Sequence, residues 1–310
     1  MKIIYVSFNM KNLLIIVTIF FIFSCDRIRK KPKWLKGNLH THTLWSDGDA
    51  PPETVVNWYR QNNYQFLALS DHNILSEGEK WIDVVDSADT EIWPPPFTKE
   101  KLEKLKTEFG DEWPALRQKG DTLQMRLKTL GELKDRFEIP GEFILIQAEE
   151  ITDIVENYPV HVNATNLESL IQPQGGKSTY DVLQRNVDAV LRQRKQTNRA
   201  MIAHANHPNF YWGIVPEDLI KLKGDPFFEV YNGHPDVKNW GDDTHPGTDR
   251  IWDIVLSNRL HKSRSVMYGL ATDDTHSYYK FGVGNSNAGR GWVMVYRKHL
   301  TAKSIINALE

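Results

Sequence analysis

The stretch NLHTHTLWSDG, residues 38–48, places His40 and His42 two positions apart and follows them with Asp47 in a Ser-Asp-Gly turn. Residues i and i+2 of a β-strand point to the same face, so a strand over 37–42 would aim both imidazoles in one direction. Two polar residues on a solvated strand would give the same pattern. The positions of the other histidines and carboxylates decide between these two interpretations.

Length and composition restrict the class of protein. The chain has 310 residues, which is enough for one large α/β domain or two smaller ones. Its 40% hydrophobic and 25% charged residues are typical of a globular protein. The net charge is −2, and the basic tract RIRKKPK at 27–33 is short. The sequence therefore predicts no nucleic-acid partner.

The first 25 residues differ in character from the rest. Residues 1–12 carry two lysines and no acid, and the run LLIIVTIFFIF at 13–23 is apolar apart from Thr18. A run this short predicts a signal peptide rather than a transmembrane span, which needs about 20 residues, although a signal anchor stays an alternative. Residues 22–25 resemble a bacterial lipobox and predict lipidation of Cys25, the only cysteine. The prediction is an exported bacterial lipoprotein, anchored to the membrane in the periplasm or at the cell surface.

Strand-like and helix-like segments alternate after a predicted linker at 26–36, and we assign 37–310 to one domain. Strands are predicted at 37–42, 64–70, 143–147, 159–163, 200–203, 227–232, 265–271 and 291–296. Helices are predicted at 51–63, 178–196, 216–223, 248–262 and 301–309. This alternation favours a mainly parallel α/β sheet, open or closed into a barrel.

Residues 74–142 interrupt the alternation and are predicted to be an insertion that borders the site. The segment is charged and rich in Trp and Pro, and we expect it to be helical around 98–138. Its aromatic side chains Trp81, Trp93 and Trp113 are expected mainly to pack, with a pocket for a ring or a sugar as the alternative.

Histidines and carboxylates recur at or just after the predicted strands. They are His40, His42, Asp71, His72, Glu149, Glu150, His161, His204, His207, Asp273, Asp274 and His276. Active sites of parallel α/β folds assemble at the carboxyl ends of the strands, so we expect these side chains to converge. Imidazole and carboxylate ligands suit Zn, Mn or Fe. No GxSxG elbow, P-loop or dinucleotide fingerprint is present to support another chemistry.

The segments HTHTLWSDG, LSDHN, AEEIT, PVHVN, HANHP and TDDTH resemble, in this order, the successive motifs of the PHP (polymerase and histidinol phosphatase) superfamily. The resemblance extends over nearly all of 37–296. It implies an α/β fold, a distorted (β/α)7 barrel of the PHP type with the helical insertion. It also implies two or three divalent metal ions (Zn, Mn or Fe) at the carboxyl-terminal rim, and phosphoester hydrolysis.

The resemblance also implies a set of metal ligands. One ion would be held by His40, His42, Glu150 and Asp274; a second by Glu150, His161 and His207; and a third by Asp47, His72 and His276. Two positions stay open, because Glu149 competes with Glu150 and His204 competes with His207. Asp71 and Asp273 are expected to orient ligand side chains.

The implied mechanism is attack on phosphorus by a metal-bridging hydroxide held by Glu150, with Asp274 and His276. Arg290, Lys280 and Asn232 are predicted to bind the substrate phosphate, and Glu229 to line the rim or to pack. By contrast, His234, His245 and His261 are expected to be structural or on the surface.

Two other functions stay open. The same metal site would serve a carboxyl- or carbamate-ester hydrolase, and an exported lipoprotein could use the barrel as a non-catalytic binding scaffold. Export also disfavours histidinol phosphate as the substrate, since amino-acid biosynthesis is cytosolic. The main expectation is a hydrolase of a small-molecule phosphoester, held at the membrane by its lipid anchor.

Overall fold

The computed structural model describes residues 31–87, 92–224 and 227–310. The predicted signal peptide 1–25, with Cys25, and residues 26–30 of the predicted linker lie outside the described residues. Among the described helices, none has the length and apolar character needed to cross a bilayer.

Strands and helices follow one another along the chain as expected for an α/β protein. The strands of the described residues are β1 (Lys33–Asn38), β2 (Phe66–Leu69), β3 (Trp81–Val85), β4 (Phe97–Thr98), β5 (Ala115–Lys119), β6 (Thr122–Arg126), β7 (Ile144–Val155), β8 (Tyr158–Thr165), β9 (Ile202–Ala205), β10 (Phe227–Asn232), β11 (Gly269–Thr272) and β12 (Val293–Arg297). The helices are α1 (Pro52–Gln61), α2 (Lys99–Phe109), α3 (Leu130–Phe137), α4 (Thr179–Thr197), α5 (Pro216–Lys221), α6 (Thr248–His261) and α7 (Ala302–Leu309).

Eight strands form one mixed sheet in the order β11-β10-β9-β8-β7-β2-β1-β12. The two ends of the sheet approach each other beyond β11 and β1. There the amide of Asp274 donates to the carbonyl of His40 at 3.1 Å, and the amide of His42 donates to that of Thr275 at 3.0 Å. These bonds nearly close a ring of seven strands, with β12 attached antiparallel to the outer part of β1. The predicted distorted α/β barrel is confirmed.

The sheet departs from a regular parallel barrel at β8. This strand is antiparallel to both neighbours, β7 and β9, and it follows β7 through a hairpin rather than through a helix. The hairpin turn is Glu156-Asn157, and both residues have positive φ, which suits the right-handed twist of the flanking strands. As a result the amino-terminal half of β8 lies at the same edge as the carboxyl ends of the parallel strands.

Both faces of the barrel wall are buried, which accounts for the continuous apolar strands in the sequence. In β2, Phe66 and Ala68 face the barrel interior, while Leu67 and Leu69 pack beneath the outer helices. Gly37 of β1 lies beside Phe66, and a Cβ at this position would come within 2.1 Å of the phenyl ring. Glycine is therefore required there for the strands to pair.

The prediction that the insertion is helical was wrong in part. Of the insertion residues that the structure describes, only α2 and α3 are helices, and a four-stranded sheet has the order β4-β3-β6-β5. β5 and β6 form a hairpin through the two-residue turn Gly120-Asp121, with Gly120 at φ +59°. The Gly-Asp pair is a recognisable turn signal, but the many Lys and Glu residues around it favour a helix.

The boundaries of the first strand also differ from the prediction. β1 begins at Lys33, within the predicted linker, because Lys33–Gly37 pair with β12. β1 ends at Asn38, so His40 and His42 follow the strand instead of lying in it. Backbone hydrogen bonds to Asp274 and Thr275, in the segment after β11, hold His40 and His42 in place. Both imidazoles still point into one site.

Candidate metal centre

Four predicted ligands converge at the point where the barrel closes. His40 and His42 place their Nε2 atoms 3.0 Å apart. The Oδ1 of Asp274 lies 3.2 Å from each of these nitrogens. The Oε2 of Glu150 lies 3.4 Å from Nε2 of His40 and 3.3 Å from that of His42. All four residues are buried, so the polar atoms meet in a site shielded from solvent.

The spacing of these atoms fits one metal ion. Ligands held about 2.1 Å from an ion in tetrahedral geometry lie about 3.4 Å from one another, close to the observed distances. The buried Oε2 of Glu150 accepts no hydrogen bond from any described residue, although it faces several imidazoles. A buried carboxylate oxygen without a donor is costly, and a cation between it and the imidazoles would remove that cost.

A second group forms around the other oxygen of Glu150. Its Oε1 lies 2.9 Å from Nδ1 of His161 and 3.2 Å from Nε2 of His207. The side-chain amide of Asn206 donates to the same oxygen at 2.6 Å. The antiparallel direction of β8 explains how His161, near the start of its strand, reaches the edge where the parallel strands end.

A third group lies on the side of the site that is nearer to solvent. Asp47 places Oδ2 3.4 Å from Nε2 of His72 and Oδ1 3.4 Å from Nε2 of His276. The ring of His42 stacks on that of His276, with centroids 4.1 Å apart, and thereby joins this group to the first. Eight of the nine predicted ligands, all but His207, fall into three groups with metal-compatible spacing. These groups are His42, Asp47, His72 and His276; His40, His42 and Asp274; and His72, Glu150 and His161.

The electrostatics of the site favour ionised carboxylates. Burial alone would raise the pKa of Glu150, but the imidazoles of His72, His40 and His161 lower it well below its usual value. Burial likewise opposes ionisation of Asp274, and His40, His42 and His276 more than offset it, so its pKa is also well below the usual value. The surroundings therefore favour the ionised form of both carboxylates, which is the form that binds cations.

The structure separates the two adjacent glutamates. Glu150 faces the histidines, whereas Glu149 points to the other side of β7, where its Oε1 accepts the amide of Ile171 at 2.8 Å. Burial raises the pKa of Glu149 to about 8, since no cationic group accompanies it. Of the two candidates, only Glu150 faces the clustered histidines.

The two candidate histidines after β9 are separated in the same way. His207 lies at Glu150, as described above, with its backbone at a positive φ of 25°. His204 lies on the other side of His40, where its Nε2 is 3.4 Å from Oε1 of Glu229. His40, His204 and Glu229 form a further, fully buried group with metal-compatible spacing.

Glu229 has a position that the sequence analysis did not identify. Its Oε1 accepts the Nδ1 hydrogen of His40 at 2.7 Å, and this orients the imidazole so that Nε2 faces Asp274 and Glu150. Its Oε2 accepts the backbone amide of His207 and the side-chain amide of Asn232, both at 2.8 Å. A carboxylate behind a ligand imidazole fixes its tautomer and orientation.

Replacing Glu229 with glutamine is expected to weaken metal binding roughly 10- to 100-fold, because the negative charge behind His40 is lost. Competition with a chelating indicator would measure the Kd of the purified chain for Mn or Zn. Glu217→Gln, at an exposed position of α5, is the matched control and should leave the Kd unchanged. An unaltered Kd in Glu229→Gln would contradict the positioning role.

Asp71 and Asp273 do not contact ligand side chains but hold the loops that carry them. Asp71 accepts the amides of Thr43 and Ser46 at 2.8 and 3.0 Å, and so fixes the turn before Asp47. Asp273 accepts several donors from β1, α1 and the loop before β12. The orienting role of Asp71 and Asp273 stays a prediction, and these contacts would exert it through the loops.

A cavity of about 430 Å³ opens over the metal groups. His40 and His42 do not line this cavity. The other seven predicted ligands do: Asp47, His72, Glu150, His161, His207, Asp274 and His276. Trp93 of the insertion also lines it, with its ring 5.9 Å from that of His276, whereas Trp81 and Trp113 pack elsewhere. His234, expected to be structural, is another lining residue, and burial lowers its pKa to about 4.

The structure does not bring the three predicted phosphate-binding residues to the cavity. The guanidinium of Arg290 donates to the carbonyls of Gly233 and Gly282 at 3.0 and 2.9 Å, and it thereby connects two loops. Lys280 is exposed outside the lining. Asn232 is buried and donates to Oδ2 of Asp274 at 3.0 Å, so it orients a predicted ligand instead of contacting substrate.

His245 and His261, expected to be structural or on the surface, lie apart from the metal groups. His245 stacks on Trp212 with centroids 4.1 Å apart, and His261 is exposed at the end of α6.

No protein-family model matches the chain, and no curated protein sequence matches it. One similar solved structure, from Bacteroides vulgatus ATCC 8482, is described as a two-domain protein containing a predicted PHP-like metal-dependent phosphoesterase. It has 18% identity and a TM-score of 0.44, and the match covers 90% of this chain but 63% of that one, less than two thirds of its length. Another, described as a candidate metal-dependent phosphoesterase from Bifidobacterium adolescentis ATCC 15703, has 13% identity and a TM-score of 0.39, with 82% and 92% covered. Both TM-scores are below 0.5, so the fold and the site are assigned from the residues of this chain.

Proposed function

We propose that the chain is a metal-dependent hydrolase of the PHP type, with phosphoester hydrolysis as its reaction. The observation that carries the proposal is the convergence of the predicted ligands from separate strands and loops. Glu150 and His42 each take part in two neighbouring groups, which is the arrangement expected of a centre for two or three divalent ions.

The side chains present fit such a centre, and their roles follow from their contacts. His40, His42, Asp274 and Glu150 would hold one ion, while Glu229 keeps the Nε2 lone pair of His40 available. Divalent ions, when bound, supply Lewis-acid activation of water and neutralise charge on phosphoryl oxygens. The groups of Asp47, His72, His161, His207 and His276 would hold the further ions at the floor of the cavity.

The walls of the cavity would position the substrate and exclude water. Trp93 and Phe210 both line the cavity, with the ring of Trp93 5.9 Å from that of His276 and the ring of Phe210 4.9 Å from that of His207. A small molecule fits the volume of about 430 Å³. The substrate would lie between these rings, with its ester group directed at the carboxylates and imidazoles below.

A second candidate is hydrolysis of a carboxyl or carbamate ester at the same centre. The cavity lining supports this second candidate, since none of the described lining residues is Lys or Arg. Phosphate sites commonly include such cations. For phosphoesters, the bound ions would have to neutralise the phosphoryl charge unaided. A non-catalytic scaffold is disfavoured, since a degenerate centre would be expected to have lost ligands, and this chain retains the complete set.

We also propose that the protein is exported and anchored to the membrane through Cys25 or the apolar run at 13–23. The support is the basic head, short apolar run and lipobox-like residues of the sequence. A small-molecule phosphoester outside the cytosol would then be the substrate class.

Metal analysis and turnover of the purified full chain test the proposal. We expect two or three divalent ions per chain, and hydrolysis of p-nitrophenyl phosphate or bis-(p-nitrophenyl) phosphate that a chelator abolishes and Mn, Zn or Fe restores. p-Nitrophenyl acetate is the parallel substrate for the second candidate. Turnover of the acetate alone would replace the phosphoesterase by a carboxyl-ester hydrolase. A chain that binds no metal and turns over none of the three would overturn both.

A further inference from the structure

An apolar stripe covers the outer face of the β1–β12 ribbon, away from the metal centre. Its members are Trp34, Trp292, Met294 and Tyr296, whose side chains are 61%, 42%, 47% and 51% exposed. Trp34 and Tyr296 are register partners, and their rings lie 5.2 Å apart. Four large side chains half exposed on one ribbon form a contiguous surface of the kind that marks an interaction site.

Positive charge lies on this stripe and beyond one end of it. The Nζ of Lys36 lies 4.3 Å from the ring of Trp292, which keeps an ammonium group on the stripe itself. At the end of the ribbon next to Trp34, a basic hollow of about 440 Å³ contains three lysines and one histidine and no acidic side chain. It is lined by Lys31, Lys33, Leu35, Gly141, Lys298, His299, Leu300 and Thr301. The ribbon therefore presents aromatic rings beside cations.

The chain that leads to Trp34 indicates what covers this surface. The apolar run ends at Phe23, and the eleven residues from there to Trp34 reach at most about 40 Å. Between them lie Arg27, Arg29, Lys30, Lys31 and Lys33, against the single acid Asp26. A bilayer that holds the predicted anchor would thus lie within reach of the ribbon.

We propose that the β1–β12 ribbon docks on a bilayer that carries anionic headgroups. Trp and Tyr are enriched where proteins meet the membrane interface, because their rings are apolar with a polar edge. Lysines near an anionic surface are attracted to it, and the attraction falls off within a Debye length. The stripe enters the headgroup region while the lysines of the hollow face lipid phosphates. The inference rests on the predicted anchor and is independent of the proposed hydrolase activity.

Cysteine labelling of the full chain tests the docking. Cys25→Ser removes the native thiol and keeps the apolar run, and Met294→Cys then places one thiol on the stripe. Glu103→Cys in the same background is the control, because the Glu103 side chain is 67% exposed on α2 in the insertion. Each variant is reconstituted into phosphatidylcholine vesicles with and without phosphatidylglycerol, and its reaction with a water-soluble maleimide is timed.

The expected result for Met294→Cys is labelling at least about tenfold slower with phosphatidylglycerol, with no change in the rate for Glu103→Cys. High salt should restore the rate, because it screens the lysines from the headgroups. The triple charge reversal Lys31→Glu, Lys33→Glu and Lys298→Glu should restore it as well. Equal rates in the two kinds of vesicle would overturn the proposal. Protection that instead follows protein concentration, whatever the lipid, would identify a second copy of the chain as the occupant and overturn it too.

Discussion

Asp274→Asn is expected to lower kcat/KM for the p-nitrophenyl phosphoesters about 10³-fold, equivalent to about 4 kcal/mol of transition-state stabilisation. Oδ1 of Asp274 lies 3.2 Å from Nε2 of both His40 and His42, so the substitution removes a negative charge from the group that these two histidines form with Asp274. Asparagine keeps the shape of the side chain, and it tolerates the left-handed backbone at this position, where φ is 50°. The fold should therefore survive.

Elemental analysis of the same samples provides the second readout. Asp274→Asn should bind at least one ion fewer than the unaltered chain, since the His40–His42 group loses its carboxylate from Asp274. Asp253→Asn is the matched control, because that carboxylate is 68% exposed on α6, and it should retain both metal and turnover. Full metal content with normal turnover in Asp274→Asn would remove this group from the proposed centre.

Asp273→Ala is expected to lower the free energy of unfolding by about 4 kcal/mol, although Asp273 is not a predicted ligand. The buried carboxylate accepts hydrogen bonds from three parts of the barrel. The donors are the hydroxyl of Tyr59, the side-chain amide of Asn38 and the backbone amides of Gly289, Arg290 and Gly291. Alanine would leave these donors without their acceptor in a site from which water is excluded.

Urea unfolding in the presence of a chelator measures this effect, because the chelator separates folding from metal binding. Asp253→Ala at the exposed α6 position controls for loss of a carboxylate as such. A decrease below about 1 kcal/mol for Asp273→Ala would show that the loops are held by other contacts.

The contrast between Asp273 and Asp274 shows where sequence reasoning stops. Two adjacent carboxylates have the same chemistry, and the motif alone leaves their roles to the resemblance. In the structure Asp273 faces inward to the loop amides, while the left-handed backbone of Asp274 turns its carboxylate toward His40 and His42. The same holds for Glu149 and Glu150, which lie on opposite faces of β7. The direction of a side chain at a strand end depends on local backbone angles, which the sequence does not state.

The sequence analysis did not identify the residues that hydrogen-bond the predicted ligands. The sequence analysis gave Glu229 a role at the rim or in packing, and it assigned no role to Asn206, which lies between the two histidines of HANHP. Their contacts join separate parts of the barrel: Glu229 of β10 meets His40 after β1, and Asn206 after β9 meets Glu150 of β7. A buried charged residue inside an apolar strand such as FFEVYN was the available signal, since such a charge needs a partner.

Two cationic side chains were predicted at the substrate, and the structure places them elsewhere. Arg290 and Lys280 were predicted at the substrate because they lie near the last motif in sequence. The guanidinium instead meets backbone carbonyls, and the lysine is exposed. Proximity along the chain places a loop but not the end of a long flexible side chain.

The sequence by itself determined the alternation of strands and helices and the set of metal-compatible residues. Both depend on local patterns: the periodicity of apolar residues, and the recurrence of His, Asp and Glu after strands. Only the tertiary structure decided that β8 runs antiparallel, that the insertion contains a sheet and which carboxylate of each pair faces the histidines. Those features arise from contacts between segments far apart in the chain, and the packing of the whole barrel selects among alternatives that are locally equivalent.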